Sequence, residues 1–485
     1  MLAACAATSA PPGQSSFRAQ AAAPDSEIEA ALARHIGILA SDAFEGRRPG
    51  TPGEARTLSY LARQWQAIGL QSGTNDPANP WFAPVRLNLA RPQSSTAVFR
   101  RDGRYVSVGE DEVRIFTSGT RGLTSDAPVL FVGEEGEISA KALAGRVAVM
   151  LADASGSLER RQSLFNAGAA AVLSVVADAA ALARVAELRN EGEYRLDGIG
   201  EDRLDGFITA AAMARIVGAE KWRRWQSAAA GSPDFRPQQT GATVTLEAVS
   251  APADVLTHNL VARLPGRNPA KGAVLVLAHW DHFGICAPQS PNDRICNGAI
   301  DNASGLAVMT ELARRLAAGP VLDRDIYFLA TTAEEWGLLG AKAFLRDPPV
   351  PLDSIVAAFN LDTVAGAPRD ARVAVIGRGL TPLDDAIAGL IAGAGRQRGD
   401  DEFASRYLRR QDGWALLQGG VPTLMVTSAF ADPATLRDYT AEDYHRPTDE
   451  AENLELGGAV QDLLLHEAMV RHFGDSDHWP AVPAG

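Results

Sequence analysis

Two histidines and four acids stand where short apolar runs of this chain end: His279, Asp301, the pair Glu334-Glu335, Asp362 and His445. Imidazole nitrogens and carboxylate oxygens are the donors that zinc takes in catalytic sites, and a set without thiolate also suits cobalt or manganese. Two histidines with three carboxylates, plus one carboxylate left over, would serve two ions. Each ion would take one histidine and one terminal acid, a third acid would bridge them, and the spare acid would take a proton from water. Each residue alone has a plainer explanation. Asp301 could cap the helix that follows it, adjacent glutamates are commonplace on solvated surfaces, and a lone histidine is more often hydrogen-bonded than metallated. Their joint occurrence points to a metal centre.

The elements that must position them are legible as apolar runs. Ala273 to Ala278 is continuous and apolar, as a strand buried on both faces of a parallel sheet should be, and it stops at His279-Trp280-Asp281. Open α/β sheets bind ligands at the carboxyl edge of their strands, so His279 faces the usual crevice, and Asp281 could hold its ring from behind. Ile326 to Thr332 reads as a second strand leading to Glu334 and Glu335, and Ile355 to Phe359 as a third ending in Asn360-Leu361-Asp362. Two adjacent carboxylates at a strand end do not point the same way, so one can bind metal while its neighbour stays free to move a proton. Val421 to Thr427 reads as a further strand, and the loop after it reaches His445, with Asp449 four residues on as a partner for the ring. Gly298 to Gly305 carries Asp301 into a helix marked by Leu306, Met309, Leu312, Ala313 and Leu316.

In these motifs the chain closely resembles the M28 family of zinc metallopeptidases. The resemblance covers His279-Trp280-Asp281-His282-Phe283-Gly284, Asn297 to Gly305, Ala333-Glu334-Glu335, Asn360-Leu361-Asp362 and Tyr444 to Asp449, in the family's order. It implies two zinc ions, with His279, Asp301 and Asp362 on one and Asp301, Glu335 and His445 on the other. Asp301 would bridge them, Glu334 would be the general base, and Asp281 would orient His279. The implied reaction is attack of a metal-bound hydroxide on a peptide carbonyl, with Glu334 returning the proton to the leaving amine. The implied substrate is a peptide with a free amino terminus, which makes the chain an aminopeptidase. A carboxypeptidase, a single-zinc glutaminyl cyclase on the same fold and a non-catalytic peptide-binding ectodomain are the alternatives. The chain departs from the family at Arg410-Gln411-Asp412-Gly413-Trp414, where many members have Ser-Asp-His: Asp412 is kept and the adjacent histidine is lost.

The expected fold is α/β: a mixed, largely parallel sheet sandwiched by helices, of zinc-exopeptidase type, with an inserted smaller β-rich domain. Residues 27–86 and 252–475 are assigned to the peptidase domain, and 87–251 to the insertion, which resembles a protease-associated (PA) domain. Within the insertion a helix is expected from Arg161 through Asn166-Ala167-Gly168-Ala169-Ala170-Ala171 into the strand Val172 to Val176. Ile28, Leu32, Ile36 and Leu39 predict an early helix, and the glycine and proline loop Asp42 to Gly53 is expected beside the cleft.

A chain of 485 residues exceeds one ordinary core. Its net charge of -13 argues against nucleic acid and against an anionic membrane surface as partners. Residues 1–26 read as a tether, and Leu2-Ala3-Ala4-Cys5 looks like the tail of a bacterial lipoprotein signal whose basic and apolar regions are absent, or like a chance match to so short a motif. The first reading makes the protein exported, periplasmic or anchored through a lipid on Cys5. Cys286 and Cys296 could then close a disulfide, as an oxidising compartment permits. The remaining histidines, His282 among them, are most simply structural or exposed.

Overall fold

In the computed structural model, residues 25–480 are described except 135, 137, 152–156 and 198–201. Cys5 and nearly all of the expected tether lie outside the described residues.

The four apolar runs form neighbouring parallel strands: Asp325–Thr331 beside Ala273–His279, then Ile355–Asn360, then Thr423–Thr427. Almost every residue in them is buried, because helices cover both faces and no face needs polar alternation. Along Ala273–His279, Val274, Val276 and Ala278 enter a core shared with helices Asp25–Leu39, Ser304–Ala318 and Gly457–Gly474. Ala273, Leu275 and Leu277 point the other way, toward Phe344 and Leu416. Antiparallel strands flank this block, Ala374–Ile376 on one side and the end of Gln238–Leu264 on the other, so the sheet is mixed and largely parallel. His279 lies opposite Thr331, and Leu277 opposite Asn360. The chain therefore leaves three adjacent strands at one edge, where its polar residues meet.

The early helix spans Asp25–Leu39 with Ile28, Leu32, Ile36 and Leu39 all buried. A second, Pro52–Ile68, begins on a proline, whose missing N–H is no loss there, and ends on Gly69 at φ 92°.

Gln238–Leu264 pairs along most of its length with Phe82–Arg101 and carries the sheet into a second lobe. There Arg121–Gly133, Val147–Leu151, Ala171–Val176 and Leu204–Thr209 run parallel around a core containing Phe131, Val149 and Trp222. Residues 87 and 251 thus fall inside strands: Leu87 pairs with Val255, and Ala251 with Arg91. Composition changes near these positions while the hydrogen-bonded ladder runs on, its register shifting only between Val249 and Ser250, where Pro92 supplies no donor. Strands predominate in the lobe, as expected, and they are accompanied by helices Ser157–Asn166, Ala179–Asn190, Ala210–Val217 and Ala219–Ala229. The helix expected to run on to Ala171 stops at Asn166, and Gly168 at φ 92° turns the chain before the strand. Among the described residues no helix is long and apolar enough to cross a membrane.

Candidate metal centre

His279, Asp301, Glu334, Glu335, Asp362 and His445 come together at the sheet edge. His279 Nε2 stands 3.1 Å from Asp301 Oδ1 and 3.5 Å from Asp362 Oδ1. His445 Nε2 stands 3.4 Å from Asp301 Oδ2 and 3.1 Å from Glu335 Oε2. One oxygen of Asp301 therefore faces each histidine. His279, Asp301 and Asp362 are close enough to share one ion, and so are His282, Asp301 and Glu335. Glu334 belongs to neither trio, although it lines the same cleft.

Local structure explains each placement. Asp301 lies in a π-type turn, Ala299–Ala303, that precedes helix Ser304–Ala318, so it is not a simple N-cap. Asp449 accepts from the N–H of Ile300 at 2.8 Å and of Asp301 at 3.1 Å, which fixes the turn. The partner expected for His445 thus serves the loop of Asp301 instead. Asn302 ties the turn to the loop of Asp362, donating to Leu361 O at 2.9 Å and accepting from Thr363 N at 3.3 Å. Gly298, at φ 59°, starts the turn, and a Cβ there would sit 2.7 Å from the His282 ring. After strand Asp325–Thr331, Ala333 adopts φ 50°, which turns Glu334 and Glu335 inward.

Asp281 meets His279 chiefly through its main chain. Its main-chain carbonyl, not its carboxylate, holds His279, with Nδ1 at 3.1 Å, while the nearer carboxylate oxygen is 4.0 Å away. That carboxylate instead accepts from the N–H of Glu334 at 3.0 Å and of Glu335 at 3.4 Å. Two residues along a strand end, the acid points toward the next strand's loop rather than back at the ring.

His282 is likewise part of the site. It is fully buried, its Nδ1 lies 2.6 Å from Glu335 Oε1, and its ring meets that of His445. It grips one oxygen of Glu335 and leaves the other toward His445 and Asp301. The spacing of three from His279 was the only sequence signal for it.

Arg47 was not anticipated at all. It is fully buried and donates to the carbonyls of Leu39, Trp280, Asn297 and Gly298, stitching the expected cleft-side loop to the segments that bear His279 and Asp301. Burial pulls its guanidinium down to about 10, against the opposing pull of Asp449 and Asp301. Beside it, Gly46 at φ 60° passes so close to the Cys286–Cys296 disulfide hairpin that a Cβ would lie 2.5 Å from Cys296 O. Arg47→Met would strand three of those carbonyls in the core, Gly298 O still accepting from Ala303 N. We expect it to lower the unfolding free energy by about 3–5 kcal/mol, since each unsatisfied buried acceptor costs 1–3. Denaturant unfolding of the two proteins measures this, and equal midpoints would refute the stitching role.

The electrostatics fit a cation. Burial by itself would lower the histidines, but surrounding carboxylates win: Glu334, Asp301 and Asp362 hold His279 well above the ordinary value, and Glu335 and Asp301 hold His445 at about 9. Burial and Asp301 would raise Glu335, yet His445 and His282 keep it at about 2. Glu334 moves the opposite way, raised by burial and by Asp362, Asp412 and Glu335 despite His279. His445 Nε2 is buried and makes no well-aligned hydrogen bond with the two oxygens it faces. A buried imidazole nitrogen left without a hydrogen bond among converging carboxylates fits a metal ion.

In the departing segment, Asp412 accepts from Thr331 Oγ1, and burial pushes it up to about 6. Gln411 Oε1 accepts from Asn360 Nδ2 and from Gly413 N, both at 2.7 Å. Arg410 and Gln411 line the cleft, opposite Glu334.

Residues 259–467 match peptidase family M28. Aminopeptidase YwaD of Bacillus subtilis (strain 168) is 36% identical over 129 residues, 26% of this chain and 25% of that protein. A probable lipoprotein aminopeptidase, LpqL, of Mycobacterium tuberculosis (strain ATCC 25618 / H37Rv) is 25% identical over 240 residues, 45% of each. The chain thus spans under half the length of these curated relatives. Among solved structures, the aminopeptidase from Aneurinibacillus sp. strain AM-1 superposes with a TM-score of 0.52 at 17% identity, covering 91% of this chain and 92% of its own, a likeness of fold. With its strand-edge cluster of histidines and acids, the chain carries a peptidase family M28 domain.

Proposed function

We propose that the protein is a zinc-dependent exopeptidase that hydrolyses the amino-terminal peptide bond of peptides. The observation that carries this reading is the split carboxylate of Asp301, one oxygen toward His279 and Asp362 and the other toward His445 and Glu335. Two ions would be held, by His279, Asp301 and Asp362 and by Asp301, Glu335 and His445, with cobalt or manganese as possible substitutes. When bound, such ions supply Lewis acidity toward a carbonyl and acidify water.

The residues of the chain supply the rest. Glu334, kept off the metal set and with a raised affinity for protons, takes the proton of the attacking water at a carboxylate oxygen. It then delivers that proton to the leaving amine nitrogen, because an amine departs far more readily than an amide anion. Asp281 holds the N–H groups of Glu334 and Glu335 and so fixes the base relative to a ligand. His282 sets the rotamer of Glu335. We read 87–251 as a PA-like lobe that limits which peptides reach the cleft, and the protein as exported, anchored through Cys5. The Cys286–Cys296 disulfide supports an oxidising compartment, as does the lipoprotein description of LpqL.

The test is metal content together with hydrolysis of peptides whose amino terminus is free or acetylated. Two zinc ions per chain and cleavage only of the free form are expected. One zinc with cyclisation of amino-terminal glutamine would make it a cyclase, cleavage from the other end a carboxypeptidase, and binding without turnover a peptide-binding ectodomain.

A further inference from the structure

The cleft beside the acids has a second wall that plays no part in the proton transfers above. Met425, Phe430 and Leu436 make it apolar, and a guanidinium stands among them, that of Arg410. Arg410 Nη2 donates to Tyr444 Oη at 3.0 Å, and its guanidinium carbon lies 5.4 Å from the ring centre of Tyr407 and 5.6 Å from that of Tyr444. These contacts fix the plane of the fork without neutralising it. Among the described residues no carboxylate forms an ion pair with Arg410, although Glu334 is near enough to act on its charge.

Its base is rigid. The next two residues are tied down, Gln411 to Asn360 and Gly413 and Asp412 to Thr331. Arg410 also lies in the segment where the chain departs from the family pattern. A half-buried, oriented and unpaired guanidinium at the side of an apolar pocket matches one ligand chemistry: a carboxylate on a short apolar stem, met by two parallel N–H donors.

We propose that Arg410 docks a carboxylate of the substrate, so that the site selects peptides that carry one beside the scissile bond. This rests on the exopeptidase reading and narrows it. The carboxylate can come from the side chain of an amino-terminal aspartate or glutamate, or from the free carboxyl end of a dipeptide.

Matched pairs separate these sources: glutamyl against glutaminyl arylamide, and Leu-Ala against Leu-Ala amide, each assayed with the zinc-loaded wild type, Arg410→Met and Arg410→Lys. The ratio of kcat/KM within a pair does not depend on how much of a preparation is folded. The wild type should favour the acid of one pair by on the order of 10- to 100-fold, mainly through KM. Arg410→Met should erase that ratio, and Arg410→Lys should keep part of it, retaining the charge but losing the fork. Calorimetric binding of the same pairs to the Glu334→Gln protein should reproduce the ratio without turnover. Preference in the first pair identifies the side-chain carboxylate, and preference in the second identifies dipeptides. Equal rates within both pairs, or a preference that survives Arg410→Met, overturn the docking role and leave the exopeptidase standing. Cleavage of none of the four substrates by the wild type overturns the exopeptidase reading, and the docking role with it.

Discussion

Glu334→Gln should lower kcat by about 10²- to 10⁴-fold, the usual contribution of a positioned acid–base group, while KM and zinc content stay close to those of the wild type. Glutamine keeps the length and planarity of the side chain, and the N–H that Asp281 accepts belongs to the backbone, so the loop keeps its shape. What is lost is an oxygen able to carry a proton. Burial and the acids around Glu334 raise its proton affinity, so the base is spent as pH falls through its pKa. The acidic limb of the wild-type profile should therefore flatten in the variant. Unchanged kcat at full zinc occupancy would remove Glu334 from the reaction, whereas lost zinc would recast it as a ligand.

Asp301→Ala should have the largest effect on metal. Each oxygen of this acid faces a different histidine, so its removal opens both half-sites, whereas Asp362→Ala opens only one. Changing a residue that merely orients a ligand typically weakens metal binding 10- to 100-fold, so loss of the shared acid should exceed about 100-fold. Elemental analysis after dialysis should find little zinc in Asp301→Ala and about one equivalent fewer than wild type in Asp362→Ala. Equal retention in the two variants would show that Asp301 is not shared. The backbone of the turn should survive, because Asp449 holds it through N–H groups that alanine retains.

The strand ends that carry His279, Glu334 and Asp362 were legible because a strand buried on both faces is a continuous apolar run, and the residue that interrupts it must sit at the sheet edge. The direction a side chain takes from that edge was not legible. Asp281 and Asp449 were each expected to serve the histidine nearest in sequence, yet each satisfies backbone N–H groups of a loop from elsewhere in the chain. His282 gave little signal because its partner, Glu335, is 53 residues away. Arg47 gave none, because burial of an arginine is decided by carbonyls that only the finished fold assembles. The continuity of the sheet between the two lobes was not legible for a related reason. Composition reports what a segment buries, and it is silent on whether one ladder of hydrogen bonds crosses from one core into the next.

The stitch made by Arg47 also has a clock. Its furthest acceptor, Gly298 O, lies 251 residues downstream. At the usual pace of synthesis, roughly 5–20 residues per second, that carbonyl arrives about 10–50 s after the arginine. The first helices, whose apolar faces are covered chiefly by helix Ser304–Ala318, made still later, must wait through the same interval. The newborn amino-terminal segment therefore spends its first tens of seconds exposing both a charge and a greasy stripe that the mature protein hides, and its fate is decided by whatever meets it then.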